Sequence, residues 1–162
     1  MIFGPAGWSA KLNGAFLVSE TGSGYLAMAV RILIADDYED NRELLRLMLS
    51  SADYEVCEAS DGQECLTRAR ADLPDLIMMD LTMPALDGWH VLEELRADAR
   101  TSKIPCIAVT AHAETDRLRA LASGFDAYVS KPFRGDELLE AVRQLLVPRV
   151  ATATATNARK ED

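Results

Sequence analysis

From residue 31 onward the chain switches repeatedly between short apolar runs and segments whose apolar residues recur every three or four positions. Arg31-Ile-Leu-Ile-Ala35 is a compact run, rich in β-branched residues, that ends in carboxylates. Residues 40–51 then place Leu44, Leu45, Met48 and Leu49 at helical spacing. A strand is predicted at 54–57, and a helix at 61–71 follows the turn residues Asp61 and Gly62. Residues 75–79 are nearly all apolar, as in a strand covered on both faces. The helix at 87–97 sets Val91, Leu92 and Leu95 on one side, with Asp87 as its N-cap and Gly88 as a permissive first residue. A strand at 104–109, a helix at 114–123 and a short strand at 127–129 continue the series. The last helix, 135–146, carries Leu138, Leu139, Val142, Leu145 and Leu146, and Pro148 is expected to end it. Five strands alternating with five helices predict an α/β fold: an open, doubly wound, five-stranded parallel sheet with helices on both faces.

The flanks read differently. Residues 1–27 hold five of the nine glycines and show no sustained period of either kind. No basic segment precedes a long apolar core there, so they do not resemble a signal peptide. Residues 1–28 are expected to be a poorly ordered N-terminal extension, with sequence upstream of the true start as the alternative. The folded unit is expected at 29–147, and 148–162, with its Ala-Thr alternation at 151–156, as a low-complexity tail.

Composition narrows the function. The chain has 162 residues, 49% hydrophobic and 27% charged, an ordinary globular balance. Its longest apolar runs are about five residues, against about 18 needed to span a bilayer, so no membrane span is expected. The net charge is −9, and residues 29–147 hold 23 acidic against 13 basic side chains. That unit lacks the positive surplus that neutralises phosphates, which argues against direct nucleic-acid binding. Cys57, Cys65 and Cys106 are odd in number and show no CxxC spacing. They read as buried structural thiols, and their usage fits a reducing cytoplasm.

In an open parallel sheet, ligands bind beyond the carboxyl ends of the strands, where strand order reverses. The predicted strand ends deliver Asp36 and Asp37, then Asp80 with Leu81 and Thr82, then Thr110, then Ser130 and Lys131. Three acids crowded together repel one another unless a cation sits among them. A hard divalent ion such as Mg²⁺, taking carboxylates, waters and a phosphate oxygen, suits the set. Lys131 offers a compact positive charge and Thr110 a hydroxyl donor, with Asp80 placed as a nucleophile. The chemistry implied is metal-assisted phosphoryl transfer to a carboxylate. Taken singly, each residue also has a structural reading: Asp36 and Asp37 as a turn and cap, Asp80 as a loop cap, Lys131 as a solvated lysine, Tyr128 as a core aromatic.

The stretches ILIADDYEDNR (32–42), PDLIMMDLTMPALDGW (74–89), IAVTAHA (107–113) and GFDAYVSKPF (124–133), in this order and spacing, resemble the receiver domain of bacterial two-component response regulators. The resemblance spans roughly residues 30–147 and implies a (βα)5, flavodoxin-like receiver fold. It implies Asp80 as the phosphoacceptor, giving an aspartyl phosphate. It implies Mg²⁺ held by Asp36, Asp37 and Asp80 and by the backbone carbonyl of Thr82, with Asp37 the more direct ligand of the acidic pair. Thr110 would be the switch hydroxyl, Lys131 the phosphate-contacting lysine with a cis bond to Pro132, and Tyr128 the switch aromatic. Thr82 and His112, flanking the attacking water, are expected to modulate hydrolysis, with a solvated loop histidine as the alternative for His112.

The expected function is that of a single-domain, cytoplasmic response regulator in phosphorelay signalling, a signalling protein rather than a metabolic enzyme. It would receive its phosphoryl group from a sensor histidine kinase or a histidine phosphotransfer protein. Phosphorylation would then bias a surface formed by the fourth helix, fifth strand and fifth helix of the series toward a downstream protein target. No output domain is expected to follow, with a receiver cut from a larger hybrid kinase as the alternative, and dimerisation through that face stays open. Two other readings compete. A phosphorylation-independent binding scaffold could use the same fold. A phosphohydrolase of the haloacid dehalogenase type would need D-x-D-x-[TV], but Asp36-Asp37-Tyr38 and Asp80-Leu81-Thr82 both lack the second acid. Neither GxxxxGK[ST] nor GxGxxG appears, so a nucleotide-binding loop is not supported.

Overall fold

The structure, a computed structural model, describes residues 8–12, 15–19, 25–111 and 114–158. Three short strands come first: β1 (Trp8–Leu12), β2 (Ala15–Ser19) and β3 (Tyr25–Met28), paired antiparallel in the order β1-β2-β3. The sequence reading found no strand period here and missed them. Trp8-Ser-Ala-Lys-Leu12 does alternate apolar and polar residues, but the five glycines spread over 1–27 mask the signal. Yet Asn13-Gly14, between the first two strands, is a dipeptide favoured in two-residue hairpins and could have announced them.

The predicted alternation then follows within one or two residues at most boundaries: β4 (Arg31–Ala35), α1 (Glu39–Ser51), β5 (Glu55–Ala59), α2 (Gly62–Asp72), β6 (Leu76–Met79), α3 (Gly88–Ala97), β7 (Cys106–Thr110), α4 (Glu114–Ser123), β8 (Ala127–Ser130) and α5 (Gly135–Ala158). All strand pairs in this sheet are parallel, in the order β5-β4-β6-β7-β8. One boundary needs correction. Pro148 does not end α5, which runs ten residues further to Ala158. A proline removes one backbone N–H bond and crowds the preceding turn, and beyond it alanines of high helix propensity offset the threonines with which they alternate.

Successive residues of each strand point to opposite faces, and this splits the core in two. On one face Ile32, Ile34, Leu76, Met78, Ile107 and Val109 pack with Leu45 and Leu49 of α1 and Leu138, Val142 and Leu146 of α5. On the other, Leu33, Ala35, Ile77, Met79 and Ala108 meet Leu66 and Ala69 of α2 and Val91, Leu92 and Leu95 of α3. Burying each large aliphatic side chain contributes about 1.5–3 kcal/mol, so apolar strands covered on both sides are the stable choice. Local signals start the helices. Asp61 accepts from the amide of Glu64 at 2.8 Å, and Asp87 accepts from that of His90 at 2.9 Å. The chain steps outward from β4 to β5 and then returns past β4 to β6. Strand order therefore reverses between β4 and β6, where Asp36, Asp37 and Asp80 emerge. Among the described residues, no helix is long and apolar enough to cross a membrane.

Candidate functional site

Asp36 and Asp80 leave their strands in the same way. Asp36 Oδ1 accepts from the amide of Tyr38 at 2.9 Å, and Asp80 Oδ1 accepts from that of Thr82 at 3.0 Å. These i to i+2 bonds turn the chain immediately and leave the second carboxylate oxygen facing the sheet edge. Across the edge, Lys131 Nζ donates to Asp36 Oδ2 at 2.7 Å and to Asp80 Oδ2 at 2.9 Å. Both carboxylates are nearly enclosed, Asp36 at 2% and Asp80 at 7% exposure, so the ammonium is the counter-charge that makes their burial tolerable. Burial pushes the Lys131 pKa down, but the hydrogen bonds and charges of Asp36 and Asp80 outweigh it and hold the group above its ordinary value.

Asp37 differs from its neighbour. One oxygen each of Asp36, Asp37 and Asp80 lie within 4.8 Å of one another, yet Asp37 Oδ1 is buried with no hydrogen-bond partner. Buried carboxylate oxygens are normally satisfied, so an unpartnered oxygen on a carboxylate that joins an all-oxygen cluster fits a hard divalent cation. Thr110, at the end of β7, is fully buried, and its Oγ1 is the other orphan among the described residues. The sequence-predicted residues Asp36, Asp37, Asp80 and Lys131 are thus brought together, with Thr110 and Thr82 on the same strand-end edge. The side chain of Thr82 is exposed. Tyr128 is half-buried and packs against the core that holds α2 and α3. The Lys131–Pro132 peptide is cis. His112 lies outside the described residues.

Three neighbours were not assigned a role from sequence. Asn41 Nδ2 donates to Asp36 Oδ2 at 3.2 Å, and Arg42 Nη1 donates to the Asp36 carbonyl at 2.8 Å. Both lie in α1, while the acidic pair precedes that helix, so no helical spacing rule marks them in the sequence. Trp89, half-buried at the start of α3, sits under the Arg119 guanidinium at 4.4 Å and edge-on to Phe125 at 6.0 Å. The link ties α3 to α4 just beyond the loop that follows Asp80.

Comparison with known proteins gives the class. A family model described as response regulator receiver domain matches residues 32–143. Response regulator PleD of Caulobacter vibrioides is 40% identical over 119 residues, 73% of this chain and 26% of that protein. The receiver domain of the Pseudomonas aeruginosa sensor histidine kinase PA1611, solved with magnesium coordinated in its active-site cleft, superposes with a TM-score of 0.68 at 33% identity. That match covers 73% of this chain and 98% of the other. The chemotaxis response regulator CheY4 of Vibrio cholerae gives 0.69 at 27% identity, covering 74% of this chain and all of the other. The chain belongs to the response regulator receiver domain family, with the flavodoxin-like fold expected from the alternation, and so to two-component signalling. It spans about a quarter of PleD and about half the length of the other first curated relatives it matches.

Proposed function

We propose that Asp80 accepts a phosphoryl group from a phosphohistidine on a sensor kinase or histidine phosphotransfer protein. A carboxylate oxygen of Asp80 attacks phosphorus, a P–O bond forms, and the P–N bond breaks with its electron pair going to the ring nitrogen, which takes up a proton from water. The observation that carries this is Lys131 Nζ held between Asp36 and Asp80, beside the orphaned Asp37 oxygen. Asp36, Asp37, Asp80 and the Thr82 carbonyl would hold Mg²⁺, which when bound neutralises charge on the phosphoryl oxygens. Lys131 then exchanges a carboxylate partner for a phosphoryl oxygen, as positioning and electrostatics dominate such transfers.

Thr110 carries the readout. Its buried, unpartnered hydroxyl donates to the phosphoryl oxygen once one is present, and Tyr128 follows. The surface of α4, β8 and α5 shifts with them and binds a downstream protein target in the cytoplasm. Thr82 and His112 set how fast water removes the group; unchanged dephosphorylation in Thr82→Ala and His112→Ala would refute that part.

The test is intact mass after acetyl phosphate, with and without Mg²⁺, beside Asp80→Asn. One labile phosphoryl group, dependent on Mg²⁺ and absent from the variant, is the expected result. No gain in a folded wild type that binds Mg²⁺ would instead favour the phosphorylation-independent scaffold.

A further inference from the structure

We infer that Arg42 is a positioning residue for the acidic site, aiming Asp37 by holding the peptide that joins it to Asp36. The inference rests on the reading that these acids hold Mg²⁺. The Asp36 carboxylate is held three times over, by Lys131, Asn41 and the Tyr38 amide. Asp37 Oδ1 has no such partner, so its direction is left to the backbone that carries it. That backbone is pinned on two sides. The Asp36 amide donates to Ala59 O at 3.2 Å, and the Asp36 carbonyl accepts from Arg42 Nη1 at 2.8 Å. The guanidinium is itself braced, with Nε 3.7 Å from Glu58 Oε2, while Glu58 Oε1 meets Arg46 Nε at 3.2 Å. A planar fork that donates to the carbonyl through one nitrogen and faces a carboxylate with another suits this task better than the single nitrogen of a lysine.

Charge and position make opposite forecasts. A guanidinium this near a cation site repels the cation, so by charge alone its removal tightens Mg²⁺ binding. If Arg42 positions Asp37, its removal weakens binding.

The experiment is calorimetric titration of Mg²⁺ into the full chain as wild type, Arg42→Ala, Arg42→Lys and Glu58→Gln. Rates of phosphoryl gain from acetyl phosphate at saturating Mg²⁺ are measured alongside. Arg42→Ala is expected to weaken Mg²⁺ binding roughly tenfold, as loss of a group orienting a ligand does. Arg42→Lys should recover part of the loss, Glu58→Gln should lose less, and saturating Mg²⁺ should restore the rate. Equal or tighter binding by folded Arg42→Ala overturns the inference. If Arg42→Ala does not fold, unchanged affinity in both other variants overturns it. A wild type that binds no Mg²⁺ removes the underlying reading, an outcome distinct from a wild type that binds and an Arg42→Ala that binds equally.

Discussion

Lys131 Nζ stands 2.9 Å from Asp80 Oδ2, across 51 residues of sequence, and the same ammonium reaches Asp36. One cation therefore serves two enclosed acids that would otherwise repel each other. Lys131→Met is expected to cost about 3 kcal/mol in the absence of Mg²⁺, as removing one partner of a buried ion pair does. Urea unfolding measures it, and added Mg²⁺ should recover more stability in the variant than in the wild type. Equal midpoints without Mg²⁺ would show that the bridge carries no weight.

The same bridge has a pH signature. The Lys131 pKa is raised in the folded state, so its contribution is complete below the unfolded value of about 10.4 and is lost as pH rises through the folded value. The stability gap between wild type and Lys131→Met should be flat from about pH 6 to 9 and should shrink above about pH 10.4. Urea midpoints across that range decide, and a gap already closing near neutrality contradicts the assignment.

Gly88 opens α3 against the end of β6, and its amide donates to Leu81 O at 3.0 Å. A Cβ at this position would fall 2.5 Å from the Asp80 carbonyl oxygen and 2.9 Å from Leu81 Cα. Backbone cannot yield as a flexible side chain would. Gly88→Ala should destabilise by about 1–3 kcal/mol and slow phosphoryl gain at Asp80. A variant of wild-type stability and rate would show that the loop relaxes freely.

The three thiols should separate by access. Cys65 and Cys106 are fully buried, and burial pushes the Cys65 thiol strongly up and Cys106 to about 12. Cys57 is half-buried and also raised, first by burial and then by Asp72. Since the thiolate is the reactive form, a thiol reagent at pH 8 should modify Cys57 slowly and the other two only on unfolding. Peptide mass mapping reads this directly, and native labelling of Cys106 ahead of Cys57 would contradict it.

Much of the fold was legible because its cues are local. Short apolar runs and period-3.6 patterns, with Asp61 and Gly62 as turn residues and Asp87 as a cap, place four of the helices and every strand of the parallel sheet to within about two residues. The cues failed where two signals conflicted. Pro148 signals a stop and the Ala-Thr alternation a low-complexity tail, yet α5 runs on to Ala158, and the apolar-polar alternation of Trp8–Leu12 is masked by its glycine-rich surroundings.

What could be read from the residues alone was the list of groups at the strand ends: three acids, a hydroxyl and an amine, in the order a receiver needs. Who holds whom came from packing. Lys131 bridges Asp36 and Asp80 while Asp37 Oδ1 stays without a partner, although the two acids are adjacent in the chain. Arg42 and Arg119 take up roles no motif announced, one on a carbonyl and one on the Trp89 ring. Local patterns carry no information on such pairs, because they span up to 95 residues and depend on strand order and on which atoms the packed helices leave within reach.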